Sequence, residues 1–349
     1  MLRKMECGSA CNGKVADGCR YCIDGAKMVL FVTGKCGHNC YYCPVSFEKK
    51  NKDVIYANER QVFNDDEIIE EAEAMEALGT GITGGDPLLN MERTTHMIRL
   101  LKDRFGKEHH IHLYTATIDP ERAKALEDAG LDEIRFHPSD DEWTKMSETE
   151  LKEVCDRLSI PVGVEVPAIP GKAKELNALV SYCKDVGVSF VNLNELEFSE
   201  SNWDMMDAYC YSVKDDLSSA VQGSMETAVE VLKANRRMRV HICSSSFKDG
   251  IQLRRRLIRR ASHICKPYQQ VTEDGTIVRG LLYASDTGEA MEVLLASGVP
   301  EELTEMGDGR IEVAPWILEK VAHSLKYKCY LSEQYPTADG LEVERTPLN

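Results

Sequence analysis

No uninterrupted apolar run in this chain approaches the roughly 20 residues needed to cross a bilayer, so no membrane span is expected. No secretory signal precedes the first polar residues, and internal repeats and low-complexity linkers are also missing. Positive charge is scarce. Lys and Arg number 42 against 58 Asp and Glu, a net charge of −16, which argues against broad, non-specific nucleic-acid binding. What is present is the composition of a globular protein, 43% hydrophobic and 29% charged, which excludes global disorder. The 349 residues suffice for one large domain or two modest ones. Cysteines number 13, too few and too odd for a small disulfide scaffold. A reducing cytoplasm with metal-bound thiols is the expectation.

The cysteines are unevenly spread. Seven lie in the first 43 residues: Cys7, Cys11, Cys19, Cys22, Cys36, Cys40 and Cys43. The other six are scattered, and scattered cysteines usually behave as small buried hydrophobes. Packing does not explain seven so close together, whereas thiolates at such spacing converge on metal centres.

The hydrophobic pattern alternates. Residues 28–34 read as a buried strand, followed by a helix over 65–78 with Asn64 as cap and Glu67 completing a capping box. Strands are expected near 81, 111, 131, 161, 189 and 238, with helices between them. Apolar strands alternating with helices imply a parallel sheet covered by helices. Some 215 residues are short of a full eight-stranded barrel, so an α/β partial barrel or an open wound sheet is expected. Loops after the strands would share one rim, where the chemistry belongs. Beyond 245 the pattern changes to an Arg-rich helix, a hairpin turning at Asp274-Gly275, a helix near 313–325 and an irregular tail.

The spacing C-x3-C-x2-C at Cys36, Cys40 and Cys43 directly follows the first strand. Three thiolates in so short a loop can hold three irons of a four-iron cluster and leave the fourth iron open, whereas structural zinc wants four protein ligands. With Tyr42 before the last cysteine, and Gly84-Gly85-Asp86-Pro87 after the second strand, the chain resembles the radical S-adenosylmethionine enzymes. The second element is similar to their GGEP motif, with Asp86 where Glu is usual. The likeness covers residues 28 to about 243, and the chain as a whole looks most like an archaeal group related to pyruvate formate-lyase activating enzymes. The resemblance implies a partial (β/α)6-type barrel, a [4Fe–4S] cluster on Cys36, Cys40 and Cys43, and S-adenosylmethionine chelated at the open iron. It also implies one-electron cleavage to a 5′-deoxyadenosyl radical that takes hydrogen from a substrate, with an electron donor such as ferredoxin or flavodoxin.

Gly84 and Gly85 would let backbone polar groups approach a ligand closely. Tyr42, Gly84, Gly85, Asp86, Pro87, Thr115, Thr117, His137, Glu165 and Asn192 are the candidate cofactor-binding residues, on motifs or strand ends. Cys7, Cys11, Cys19 and Cys22 form a second candidate metal site, for zinc or an auxiliary iron–sulfur cluster, and a mixed site joining Cys19 and Cys22 to Cys243 or Cys265 is an alternative. The expected organisation is a Cys-rich segment over 1–27, the barrel over 28–245 and a small α+β extension over 246–349. Arg254, Arg255, Arg256, Arg259 and Arg260 crowd one helix, which either pairs with acidic neighbours or contacts a tRNA or protein substrate. Within the hydrogen-abstracting reading tRNA or protein modification is favoured, because the residues after 245 exceed the shorter minimal activating enzymes; activation of a glycyl-radical enzyme is the alternative. A non-catalytic metal- or RNA-binding module is the alternative of another class.

Overall fold

A computed structural model describes residues 2–215 and 217–349, which divide into two compact units. The first comprises residues up to Ala72 and Ala77–Leu253; the second comprises Glu73–Glu76 and Arg254–Asn349.

The first unit opens with two short strands, β1 (Leu2–Lys4) and β2 (Ala10–Asn12), and helix α1 (Asp17–Ile23). Strand β3 (Lys27–Phe31) follows, then the cysteine loop and a small ribbon, β4 (Tyr56–Ala57) and β5 (Arg60–Gln61). The alternation then runs α2 (Asp65–Ala74), β6 (Gly79–Thr83), α3 (Met91–Phe105), β7 (His110–Thr115), α4 (Pro120–Asp128), β8 (Glu133–Phe136), α5 (Leu151–Arg157) and β9 (Val162–Ala168). It ends with α6 (Ala173–Val186), β10 (Phe190–Glu195), α7 (Trp203–Ala208), α8 (Ser224–Ala234), β11 (Val240–Cys243) and the short α9 (Ser245–Phe247). Helix starts obey local chemistry. The Asn64 carboxamide accepts from the Glu67 amide, and Glu67 reaches back to the Phe63 amide rather than to Asn64 itself.

Strands β3, β6, β7, β8, β9, β10 and β11 pair in parallel, in sequence order. That order is the winding of a barrel. It stays open: β4–β5 extend one side and β2–β1 extend the other, antiparallel. Seven parallel strands thus make a partial barrel. Along the strands Leu113, Ile134, Val164 and Leu193 are buried, while the alternate positions carry Tyr114, Arg135, Glu165 and Asn192, which line internal cavities. Residues 1–27 belong to this unit rather than standing apart, because β2 pairs with β11, Cys11 opposite His241.

The second unit begins with α10 (Arg254–Ile264). It continues through β12 (Gln270–Val271), β13 (Ile277–Tyr283), α11 (Thr287–Ala296), β14 (Thr304–Gly307), β15 (Arg310–Val313), α12 (Pro315–Val321), β16 (Lys328–Gln334) and β17 (Glu342–Pro347). The expected hairpin pairs β12 with β13, and Gly275 takes the left-handed conformation its turn needs. The tail is not irregular. Its strand β17 pairs along β16 although every one of its side chains is exposed. An edge strand whose side chains all stay exposed has no burial pattern for the sequence to show. No helix among the described residues is long and apolar enough to cross a membrane.

Candidate active site

The cysteine loop leaves β3 at Thr33-Gly34 and is pinned at its base. Asp53 accepts from the Thr33 hydroxyl at 3.0 Å and from the Arg93 guanidinium at 2.6 Å, while Arg93 also donates to the Val32 carbonyl. These contacts outweigh burial and hold the Asp53 carboxyl down at about 2. Gly34 is needed here, because a Cβ would lie 1.7 Å from the Lys49 carbonyl oxygen. Further out, Tyr41 stacks on Tyr209 at 4.2 Å between ring centroids, and Asn202 donates to the Tyr42 carbonyl.

The two motifs meet directly. Gly85 N–H donates to Thr33 O at 2.7 Å, and Asp86 N–H donates to Lys35 O at 2.8 Å. A Cβ on Gly85 would stand 2.3 Å from that Lys35 oxygen. The glycine pair therefore seats the cysteine loop against the end of β6.

Cys36, Cys40, Cys43, Tyr42, Gly84, Gly85, Thr115, His137 and Glu165 line one open pocket of about 480 Å³ at the C-terminal ends of the strands. Asp86, Pro87, Thr117 and Asn192 do not line it. Asp86 is fully buried and points its carboxylate sideways. One oxygen accepts from Thr115 Oγ1 at 2.6 Å and Leu88 N at 3.0 Å, and the other from Thr117 Oγ1 at 2.6 Å and Thr117 N at 3.2 Å. Asp86 and Thr117 thus form a brace that positions Thr115 and starts the turn at Pro87. Asn192 faces a deeper cavity.

The pocket wall is electrostatically set. Burial pushes the Glu165 carboxyl up, but Arg135 at 2.8 Å, with amides of Asn192 and Asn194 at 2.8 and 3.0 Å, outweighs it and holds the group at about 2. Burial lowers the pKa of His137. Its Nδ1 lies 2.7 Å from the Glu165 carbonyl, an N–H donor position, so Nε2 accepts from Tyr42 Oη at 3.2 Å. Burial raises the thiols of Cys36 and Cys40. Lys248 pairs with Glu197 at 2.6 Å and keeps its charge against burial. Lys27 and Tyr114 are lining residues that motif reading missed. Lys27 and Tyr114 stand on strand faces that only strand closure turns inward. A groove of about 490 Å³ near α2 and α3 carries no cysteine.

The four N-terminal cysteines do not share a site. Cys7 is exposed, and Cys11 is buried on β2 with its thiol donating to Gly13 O. Cys19 and Cys22 lie on α1 and line the deeper cavity with Cys243. Pairing of β2 with both β1 and β11 fixes Cys11 in the sheet while α1 carries the other pair inward. Arg254, Arg259 and Arg260 are used within the second unit, donating to the carbonyls of Glu273, of Met75 and Glu76, and of Pro336 respectively.

Sequence and structure comparisons place these features in a wider set. Residues 30–140 match the model of the radical SAM superfamily, and residues 275–348 match a domain of unknown function. A Methanocaldococcus jannaschii protein is 43% identical over 355 residues, spanning 96% of this chain and 93% of its own length. It is provisionally named a glycyl-radical enzyme activating enzyme. Streptococcus suis SuiB, solved with its precursor peptide SuiA, is 10% identical with a TM-score of 0.42; the match covers 63% of this chain and about half, 48%, of SuiB. Escherichia coli coproporphyrinogen III oxidase is 10% identical over 87% of this chain and 91% of its own, with a TM-score of 0.37.

Proposed function

Because the chain belongs to the radical S-adenosylmethionine superfamily, whose members use a [4Fe–4S] cluster and S-adenosylmethionine, we propose that it is an activating enzyme acting on a protein substrate. The observation that carries the reading is the meeting of Cys36, Cys40 and Cys43 with Gly84 and Gly85 around one open pocket.

The residues fit the cofactors. Three partly exposed thiols, rather than four, face the pocket, which suits a cluster with one open iron. When bound, the cluster supplies the electron that splits the sulfonium C5′–S bond, giving methionine and a 5′-deoxyadenosyl radical. Gly84 and Gly85 present backbone where no side chain intrudes, placed to receive the ammonium end of S-adenosylmethionine. The Asp86 brace holds Thr115 toward the same pocket. Ionised Glu165 and neutral His137, fixed by Arg135 and Tyr42, orient the far wall without supplying a mobile proton. Buried Leu196 and Pro167 line the wall at the ends of β10 and β9 and help exclude water.

A protein substrate is supported by the relative's name together with its near full-length match, which includes the second unit. The residues beyond 245 therefore do not count against an activating enzyme. Engagement of Arg254, Arg259 and Arg260 inside the second unit takes support from the tRNA reading. A ferredoxin or flavodoxin would deliver the electron, and a reducing cytoplasm is the setting this chemistry needs.

The test is anaerobic reconstitution followed by reduction and quantitation of 5′-deoxyadenosine. Wild type should form it and Cys40→Ala should not. Absence of product from iron-loaded wild type removes the reading. Product formation stimulated by tRNA, and lost in Arg255→Glu, would overturn the protein-substrate assignment.

A further inference from the structure

Below the open pocket lies a second, smaller cavity of about 170 Å³, lined by Cys19, Cys22, His241, Cys243, Gln252 and Lys27 among others. The thiols come from opposite ends of the first unit. Cys19 and Cys22 sit three apart on α1 and so share a helix face. His241 and Cys243 sit two apart on β11 and so share a strand face.

Several observations show a site built for an anionic, sulfur-bound group. Amide N–H donors already point at two of the sulfurs: Asn192 Nδ2 at 3.2 Å from Cys19 Sγ, and Gln252 Nε2 at 3.4 Å from Cys243 Sγ. Gln252 also accepts from Cys22 Sγ at 2.8 Å, so one side chain spans the gap between two thiols. His241 is 4% exposed, and neither ring nitrogen has a hydrogen-bond partner. A buried imidazole with both nitrogens idle is costly unless a ligand takes one. Lys27 is a buried ammonium whose neighbours are His112 Nε2 at 3.4 Å and Tyr114 Oη at 3.5 Å. No carboxylate among the described residues pairs with it, so a buried positive charge faces the thiols without a counter-ion.

We propose that Cys19, Cys22 and Cys243 hold a second iron–sulfur cluster, with His241 as the fourth donor. Three cluster thiolates supply the negative charge that Lys27 lacks, and the Asn192 and Gln252 amides give the sulfur hydrogen bonds that tune such centres. Among the described residues no three Cys, His, Asp or Glu side chains converge on one point, as a single tetrahedral zinc ion requires. The same is true of Cys36, Cys40 and Cys43, because each cluster thiolate binds a different iron. The π-helical turn Lys248–Leu253 carries Gln252 between the sulfurs and Lys248 to the cavity wall.

The proposal stands apart from the assignment of the upper pocket, and one series of measurements separates them. The full chain is reconstituted anaerobically and assayed for iron, sulfide and zinc, with electron paramagnetic resonance after reduction. Wild type should bind about eight irons and eight sulfides, and the C36A/C40A/C43A chain about four of each. C22S/C243S should also keep about four, with a changed resonance spectrum, and the five-fold variant should keep none. About four irons in wild type together with none in C36A/C40A/C43A overturns the second cluster, as does stoichiometric zinc in that variant. Far-UV circular dichroism of each variant excludes unfolding as the cause, and the wild-type count decides the matter even where a variant does not fold. If C36A/C40A/C43A keeps its irons while wild type fails to cleave S-adenosylmethionine, the second cluster stands and the upper-pocket reading falls.

Discussion

Replacing Asp86 tests whether the carboxylate in the glycine motif touches the cofactor or braces the site. The structure makes it a brace. Asp86 is fully buried, and its two oxygens take four donors, the Thr115 and Thr117 hydroxyls and the Leu88 and Thr117 amides. Asp86→Ala deprives all four. Thr117 N–H keeps Thr115 Oγ1 at 3.0 Å as a second acceptor, so three groups lose their acceptor. At roughly 1–3 kcal/mol per buried group left unsatisfied, the loss is about 3–9 kcal/mol. Asp86→Asn keeps one oxygen for Thr115 and Leu88 and turns an amide toward Thr117, whose hydroxyl can reverse but whose N–H cannot. Its cost should be roughly half as large, about 2–4 kcal/mol. Urea unfolding of the metal-free chain followed by circular dichroism reads both values. Binding of S-adenosylmethionine to the reconstituted chain should weaken in Asp86→Ala, where Thr115 loses its anchor, and less in Asp86→Asn, where it keeps it. Asp86→Asn that abolishes binding while leaving stability within about 0.5 kcal/mol of wild type would refute the brace and put the carboxylate on the ligand.

Gly85→Ala should separate the two motifs, since its Cβ would lie 2.3 Å from the Lys35 oxygen. Equilibrium dialysis on the reconstituted chain should show at least a tenfold loss of S-adenosylmethionine affinity, and an unchanged affinity would contradict the seating of one loop on the other. Glu165 predicts an acid-sensitive contribution to stability. Its carboxyl falls from an ordinary 4.5 to about 2 on folding, so the contribution is complete above 4.5 and fades as pH drops toward 2. Glu165→Gln should cost about 3 kcal/mol at pH 6, and the gap to wild type should narrow by roughly 1 kcal/mol at pH 3.5. A gap that stays constant across that range would show that Arg135 does not hold the carboxylate.

Legibility differed from place to place. The parallel strands were readable because each carries enough apolar residues between turn signals to mark a buried element. The cysteine loop was readable because its ligands are neighbours in sequence. The role of the Asp86 side chain stays open in the sequence, because a carboxylate in a turn looks the same whether it faces a cavity or a neighbouring strand. Only the pairing of β6 with β7 brings Thr115 and Thr117 to it. The Arg-rich helix stood out by charge, yet what its arginines meet, carbonyls such as Glu273 and Pro336, cannot be seen in a charge count.

Local chemistry thus determined a great deal: the strand–helix rhythm, the three-cysteine loop, the glycine turn that faces it, and the family these imply. Those features depend on residues within one turn or one strand of each other. The tertiary structure decided the rest. Winding seven parallel strands into an open barrel carries Lys27, Glu165 and His241 from separate strands to its cavities. Pairing of β2 with β11 holds the N-terminal segment to the sheet, and α1 brings Cys19 and Cys22 to Cys243 while Cys7 and Cys11 are left elsewhere. Spacing along a chain limits which ligands can be neighbours, but which thiols from its two ends meet is set by strand pairing, and that is a property of the folded sheet.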